Sequence, residues 1–102
     1  MNVITRRRIK MFTRQHPDAA RPLEQWYRTV RQARWQNLQE VRVIYPHADG
    51  VTVASGNTVT VFNIAGNKYR LIVAIHYNRA RVYILRLLTH ADYSKDAWKA
   101  TL

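Results

Sequence analysis

The sequence contains no cysteine and only 6 acidic residues among its 102 positions. Without cysteine the chain has no disulfide framework and no cysteine-based zinc site, and it suits a reducing compartment. So few carboxylates also argue against glycosidase chemistry and against a two-metal centre. The 4 histidines are scattered, without the cysteine or carboxylate spacing of a metal site. We therefore predict neither a metal nor any other cofactor.

Long apolar runs, internal repeats and low-complexity segments are missing as well. No stretch is long enough and free enough of charge to span a bilayer, which disfavours a membrane protein. The segment Met1–Arg8 lacks the apolar core of a secretory signal, so we expect a cytoplasmic protein. A chain of 102 residues fits one compact domain, which we place at residues 1–102.

Positive charge is what the sequence has in excess, because 17 Lys and Arg face 6 Asp and Glu and give a net charge of +11. In so small a protein this predicts a strong field and a polyanionic partner, nucleic acid first and an acidic protein second. Residues 6–8 are arginines in the first turn of a predicted helix, where the helix dipole makes each cation unfavourable by roughly 0.3–1 kcal/mol. Either this turn is solvated, or it contacts phosphate or an acidic partner.

The pattern of apolar and turn residues predicts an α+β fold: a short N-terminal strand, two helices, a three- to four-stranded antiparallel sheet, and a short C-terminal helix. Residues 37–45 give a mixed signal that favours a helical turn followed by extended chain. The predicted elements are a strand at Asn2–Ile4, a helix capped by Thr5 and ending near Gln15, a helix capped by Asp18, strands at Val59–Ile64, Tyr69–His76 and Arg81–Leu88, and a helix from about Asp92 to Ala100.

The second helix has the clearest signal in the chain. Leu23, Trp26, Tyr27 and Val30 recur at the spacing of one buried stripe, which predicts a helix packed on the sheet. Its other faces are basic and form either solvated surface or part of an RNA track; they carry Arg21, Arg28, Arg31 and Arg34. Trp35 follows the helix and either packs in the core or stacks on a nucleic-acid base.

Two strands bring cations and proton donors to one end of the predicted sheet. Strand alternation places Lys68 and Arg70 on a common face, and Arg86 of the next strand is predicted to share it. His90 and Tyr93 follow directly. Cleavage of RNA by its own 2′-hydroxyl needs a base, an acid and cations at the phosphate, and these residue types supply all three.

A purely structural interpretation of the same residues is open. Thr89 would then cap the last helix, His90 would satisfy a backbone carbonyl, and Tyr93 would pack on the core. Histidine has an ordinary pKa near ~6.5 and serves in either direction of proton transfer, whereas tyrosine starts near ~10 and needs cationic neighbours to act as a base.

The segments NKYRLIVAI and VYILRLLTHADY, preceded by VFNIAG, resemble the HigB family of toxins in the RelE-like superfamily. The resemblance implies a RelE-like fold and the toxin of a type II toxin–antitoxin system. It further implies a ribosome-dependent mRNA interferase, a metal-independent endoribonuclease that acts on messenger RNA in the ribosomal A site. The implied partners are a HigA-like helix-turn-helix antitoxin and, through that antitoxin, a hetero-oligomeric complex on operator DNA.

Carried over by position, the resemblance implies catalytic roles for four residues, His90, Tyr93, Arg86 and Arg70. The general base stays open between His90, Tyr93 and Lys68. The residues expected to bind RNA are Lys68, Arg70, Arg6, Arg7 and Lys95. Two alternatives compete with the nuclease: a non-catalytic RNA- or DNA-binding module that uses the helical arginines and Trp35, and a protein whose basic face only docks an acidic partner.

Overall fold

The chain forms a five-stranded sheet with three helices packed on one face, and the computed structural model describes every residue, Met1–Leu102. The predicted α+β class is confirmed. In chain order the elements are β1 Asn2–Ile4, α1 Arg7–Gln15, α2 Ala20–Gln32, α3 Leu38–Ile44, β2 Asp49–Thr52, β3 Thr58–Ile64, β4 Tyr69–His76, β5 Arg81–Thr89 and α4 His90–Ser94. Short 3₁₀ turns occupy Pro17–Ala19, Tyr77–Arg79 and Ala97–Thr101.

The strand order is β1-β5-β4-β3-β2, and the sheet is mixed. β2 to β5 form an antiparallel meander, whereas β1 pairs in parallel with the first part of β5, residue Asn2 opposite Arg81 and Ile4 opposite Tyr83. The predicted antiparallel sheet of three to four strands is confirmed as the four strands β2 to β5, and the predicted N-terminal strand adds to it a fifth strand as a parallel edge. A three-residue strand carries too little pattern to show its partner. The helices that follow β1 lead the chain to β2 at the opposite edge of the sheet, and the meander then returns to β1 through β5.

An aromatic cluster centred on Phe62 joins the helices to the sheet. The Phe62 ring lies 5.6 Å from the ring of Trp26 and 5.2 Å from that of Tyr45, both edge-on, and stacks with Trp35 at 6.4 Å. Trp35 is only 5 % exposed, so the prediction that it packs in the core is confirmed and base stacking by this residue is not available. Leu23 and Val30 complete the buried stripe of α2.

Strand β5 changes the direction of its side chains at Leu85. The register pairs Val73 with Ile84 but Ile72 with Arg86, so Leu85 is an extra residue in the ladder. Ile84 and Leu87 consequently both face the helices, although a regular strand would place residues three apart on opposite faces. Leu85 itself lies with the smaller core on the opposite face.

Two predicted helix caps are wrong. Thr5 has a left-handed φ of 71°, and α1 begins at Arg7 without a side-chain cap. Asp18 lies in the 3₁₀ turn before α2 and accepts no hydrogen bond from the first N–H groups of that helix, because its carboxylate accepts hydrogen bonds from Lys68 and Tyr69 at the start of β4 instead. The helical turn expected within residues 37–45 is confirmed as α3, where Asn37 Oδ1 accepts from the Glu40 N–H at 3.0 Å.

The C-terminal helix also differs from the prediction of one segment from Asp92 to Ala100. α4 starts at His90, and the left-handed conformation of Asp96, φ 60°, breaks the helix before the last 3₁₀ turn. That turn sets Trp98 against the small core formed by Val53, Val59, Val61 and Ile72 on the sheet face opposite the helices. No helix of the chain has the length and apolar character needed to cross a membrane.

Truncation of Phe62 tests the aromatic cluster. The ring is 1 % exposed, so Phe62→Ala removes a fully buried side chain and leaves a cavity, and we expect a loss of about 3–5 kcal/mol in the free energy of unfolding. Val43→Ala is the control, because Val43 is 81 % exposed and its truncation should change stability by less than about 0.5 kcal/mol. Urea denaturation monitored by tryptophan fluorescence measures both; equal losses would contradict this account of the core.

Candidate active site

His90 lies where β5 turns directly into α4. Thr89 is extended and caps the helix, its Oγ1 accepting from the Asp92 N–H at 3.2 Å, so the structural role predicted for Thr89 is confirmed. The His90 backbone N–H donates to the Lys68 carbonyl at 2.9 Å, which fixes the first turn of α4 to the start of β4. The imidazole is exposed and makes no hydrogen bond within the chain, so it does not satisfy a backbone carbonyl.

The Tyr93 ring lies next to both the Trp98 ring and the Arg70 guanidinium. Its ring stacks on Trp98 with centroids 5.4 Å apart, and the Trp98 indole N–H donates to the Tyr93 carbonyl at 3.2 Å. The Arg70 guanidinium carbon lies 5.3 Å from the centre of the Tyr93 ring. Since Tyr93 follows His90 by three positions on α4, both side chains emerge on the same side of that helix.

Arg70 is oriented by its own loop. It is 9 % exposed, and its Nη1 donates to the carbonyls of Asn67 at 3.1 Å and Tyr69 at 3.2 Å. Nη2 donates to the Asn67 side-chain oxygen. These bonds satisfy a nearly buried cation without an acidic partner, and they place the guanidinium beside Tyr93 before any ligand is bound.

Arg86 lies on the same sheet face as Arg70, as predicted, because its ladder partner Ile72 is two residues from Arg70 along β4. It stands opposite Ile72 on β4, and its Nη1 donates to the Leu85 carbonyl at 2.8 Å. With Leu87 it forms one wall of a groove whose other wall is the α1 side chains Arg8, Met11, Phe12 and Gln15. The structure thus brings Arg70 and Tyr93 into contact, whereas no hydrogen bond joins Arg86 to His90 or Tyr93.

The sequence did not reveal a polar network around Asp18. One oxygen of the Asp18 carboxylate accepts from Tyr69 Oη at 2.6 Å, and the other accepts from Lys68 Nζ at 2.9 Å. Tyr69 Oη is also 3.5 Å from His16 Nδ1, and the His16 ring stacks on Phe12 with centroids 4.5 Å apart. No local sequence pattern predicts this network, because Asp18 is about fifty residues away from its partners Lys68 and Tyr69 in the chain.

The ammonium of Lys68 therefore reaches the helix side of the sheet together with Tyr69, while Arg70 turns toward α4. The prediction that the charged ends of Lys68 and Arg70 share a face is wrong. The reason is that Lys68 precedes β4, where the chain is not bound by strand alternation, and an available carboxylate lies across the sheet end.

The same network shifts the pKa values of three side chains. The hydrogen bond from Tyr69, followed by that from Lys68, lowers the pKa of Asp18 below its ordinary value. The bond to Asp18 in turn raises the pKa of Lys68 and also that of Tyr69. Each shift favours the bonded form, in which Asp18 is a carboxylate, Lys68 an ammonium and Tyr69 a phenol.

The remaining predicted RNA-binding residues are exposed but differ in their contacts. Arg6 lies over the Tyr27 ring at 4.0 Å and is 3.7 Å from Glu24. Lys95 is 3.7 Å from Asp92. Arg7 has no ion pair. No group of three or more His, Asp or Glu side chains is arranged to hold a metal ion.

Comparison with known proteins finds a matching family and several relatives of the chain. The family model of the HigB toxin, described as the RelE-like toxic component of a toxin–antitoxin system, matches residues 19–96. The chain is 25 % identical over 95 residues to a protein of Escherichia coli O6:H1 named mRNA interferase HigB, covering 93 % of this chain and 90 % of that protein. It is 22 % identical over 93 residues to the mRNA interferase toxin HigB of Escherichia coli K12, covering 91 % and 88 %.

Replacing Asp18 by asparagine tests the network through pH. A carboxyl group whose pKa is lowered in the folded state stabilises the fold above its unfolded pKa, 3.8, and this stabilisation is lost as pH falls through the lower, folded pKa. Asp18→Asn should therefore be less stable than the parent near pH 7, and the difference should shrink at pH 3 and below. Urea denaturation at several pH values measures it.

Asp49→Asn is the matched control, because Asp49 is exposed and lies 3.7 Å from Arg42. A stability difference for Asp18→Asn that does not change with pH, or that equals the difference for the control, would contradict the role given to this carboxylate.

Proposed function

The chain belongs to the HigB toxin family, and on that premise we propose that it is the nuclease of a type II toxin–antitoxin system, cleaving messenger RNA on the ribosome and so arresting translation and growth. Two relatives, matched over nearly their full length, carry the name mRNA interferase. The observation that supports the activity best is the meeting of His90, Tyr93 and Arg70 at one end of the β4–β5 pair, inside the matched segment.

In the proposed reaction the ribose 2′-oxygen attacks the adjacent phosphorus while the bond from phosphorus to the 5′ oxygen breaks. A base takes the proton of the 2′-hydroxyl, and an acid gives a proton to the departing 5′ oxygen. The products are a 2′,3′-cyclic phosphate and a 5′-hydroxyl. No metal is required, because side chains supply both proton transfers and the charge that balances the phosphorane.

We assign the two proton transfers to His90 and Tyr93. The His90 imidazole is exposed and free of internal hydrogen bonds, and the Tyr93 hydroxyl is likewise free to meet a ligand. Both lie on one side of α4, whose first turn is fixed by the Thr89 cap and by the bond from His90 to Lys68. This anchoring holds the two groups in a defined relation to one another, which is what proton transfer in a single transition state needs.

The arginines have separate roles in this proposal. Arg70 positions Tyr93 and adds positive charge at the site, because its guanidinium is nearly buried and already bonded to Asn67. Arg86 is more accessible and binds a phosphate at the adjoining groove. Lys68, Arg6, Arg7 and Lys95 extend the positive surface along the RNA; the exposed ion pairs of Arg6 and Lys95 are weak and are readily exchanged for phosphate.

The proposed partners follow from the family. Membership implies an antitoxin, for which we propose a HigA-like helix-turn-helix protein that also carries the complex to operator DNA. The ribosome, with mRNA in its A site, is the proposed place of action, which puts the chain in the cytoplasm. The net charge of +11 suits both ribosomal RNA and an acidic antitoxin segment.

Removal of either proton-transfer group should slow cleavage strongly. We expect His90→Ala and Tyr93→Phe each to lower the cleavage rate by about 10²–10⁴, the usual contribution of a general acid or base. Tyr93→Phe is the sharper variant, because it removes the hydroxyl and keeps the ring that packs against Trp98 and Arg70. The measurement is growth after induction together with mapping of new mRNA ends.

His47→Ala is the matched control. His47 is exposed in the turn between α3 and β2, so the His47→Ala variant should remain fully toxic. Growth arrest without new mRNA ends would contradict the nuclease and favour a binding module that blocks translation. Retained toxicity of both site variants would place the chemistry elsewhere.

The dependence on the ribosome is tested with purified components. Incubated with mRNA alone, the chain should leave the RNA intact, and with the same mRNA on translating ribosomes it should produce cuts in phase with the codons. Equal cutting of free and ribosome-bound mRNA would contradict the proposed dependence while leaving the nuclease activity in place.

A further inference from the structure

A cavity opens on the sheet face opposite the helices, here called the outer face, at the end of the β4–β5 pair that is remote from His90. Its volume is about 380 Å³, within the range of roughly 300–1,000 Å³ that is usual for small-molecule sites. Ala74 and Leu85 belong to its apolar lining, and Val53 and Leu102 line it beside the last 3₁₀ turn. The proposed reaction leaves this cavity without a role.

The cavity exists because β4 has a small side chain at this point. From Arg70 to His76 every second side chain points to the outer face, and Ala74 is the smallest of them. On the neighbouring strand β5, the extra residue Leu85 turns its side chain to the same face. The outer face therefore has an apolar hollow in which a flat ring can lie.

The polar residues that line the cavity are free to bind a ligand. Asn57, Thr58 and His76 are exposed, and none of their side chains makes a hydrogen bond within the chain. The His76 ring meets the Tyr83 ring edge-on, with centroids 5.0 Å apart. An amide, a hydroxyl and an imidazole offer hydrogen bonds to the edge of a heterocycle, while the two rings offer surfaces for stacking.

Cations lie on both sides of the cavity, and no carboxylate lines it. Arg81 is opposite His76 in the ladder and shares its face of the sheet; it is exposed and forms no ion pair. In the other direction, Arg70 is four residues from Ala74 along β4, which is about 13 Å at a rise of ~3.3 Å per residue. Arg86 lies between them on the same face. A phosphate backbone that follows the outer face therefore meets cations before and after the cavity.

We propose that this cavity, the base pocket, binds a nucleobase of the RNA strand whose scissile phosphate lies at the candidate active site, a few nucleotides from the cleaved bond. The inference rests on the proposed function and adds to it a site that selects the RNA sequence at a distance from the cut. His76 and Tyr83 would stack against the base, and Asn57 and Thr58 would bind its polar edge. Arg81 would bind the adjoining phosphate.

A nucleobase fits the base pocket better than an apolar protein side chain does. An aliphatic side chain would cover Asn57, Thr58 and His76 without offering them a hydrogen bond, and covered polar groups without partners weaken binding. A base has apolar faces for Ala74 and Leu85 and polar edges for the other lining residues. The net charge of +11 also favours a ligand that carries phosphates.

The test uses the full chain, labelled with ¹⁵N, and hexa-adenylate with a 2′-O-methyl group on every ribose, which cannot be cleaved by attack of its own 2′-oxygen. The matched control ligand is an abasic strand of the same length, which keeps the phosphates and lacks the bases. We expect hexa-adenylate to shift the amide resonances of Ala74 and His76, whereas the amides of α3, on the opposite face, stay in place. The abasic strand should leave Ala74 and His76 unshifted and bind at least about tenfold more weakly.

Two pairs of variants separate the base pocket from general charge. His76→Ala should weaken the binding of hexa-adenylate by about tenfold, whereas His47→Ala, the same change at an exposed histidine outside the pocket, should weaken it less than about twofold. Ala74→Leu fills the pocket and should also weaken binding, and Val43→Leu, at a residue that is 81 % exposed elsewhere, should not. None of the four variants should change the binding of the abasic strand.

Three results would overturn the proposal: equal binding of hexa-adenylate and the abasic strand, unshifted Ala74 and His76 amides, or full binding by the His76→Ala variant. Adenosine monophosphate that binds as tightly as hexa-adenylate would assign the pocket to a free nucleotide, and a trileucine peptide that shifts these amides where hexa-adenylate does not would assign it to a protein; both also overturn it. Because the RNA is uncleavable and the readout is binding, a chain that binds it in the pocket but cleaves no mRNA would refute the proposed function alone.

Discussion

The extra residue at Leu85 is the constraint on which the geometry of the site depends. Because it lets Ile84 and Leu87 both face the helices, β5 keeps its buried side chains in the main core on either side of the irregularity. It also places Arg86 beside α1, with its guanidinium bonded to the Leu85 carbonyl. A regular strand would exchange the buried and exposed faces for the whole segment that leads to His90.

Beyond this point the site is assembled from the ends of elements. Thr89 ends β5 and caps α4, Asn67 in the preceding loop holds Arg70, and Trp98 supports Tyr93 from the last turn of the chain. Asp18 performs a similar task on the helix side by joining the turn before α2 to the start of β4. Side chains placed in this way are rigid because the sheet beneath them is rigid, yet they face solvent where a ligand can approach.

The charge distribution leaves the surface of this small protein with uncompensated positive charge. Five of the acidic residues each lie within 4.0 Å of a cation of the same chain, these being Asp18, Glu24, Asp49, Asp92 and Asp96. The sixth, Glu40, accepts a backbone hydrogen bond from Gln36. The acidic groups are thus engaged within the fold, and the excess of +11 is left at the surface. An anionic ligand would relieve that repulsion, so the same surface suits both the proposed RNA substrate and an acidic protein partner.

The sequence by itself determined the α+β class, the stripe of α2, the three long strands of the meander, and the segment that holds His90 and Tyr93, because these features rest on local periodicity and on residues close in the chain. Only the tertiary structure decided the parallel pairing of β1, the irregularity at Leu85, the separation of the Lys68 ammonium from Arg70, and the use of Asp18 as a link to β4 instead of a helix cap. Each of these depends on contacts between residues distant in sequence, and such contacts leave no local pattern. A short strand, an inserted residue or a turn carboxylate acquires its role only when its partner is brought alongside by the fold.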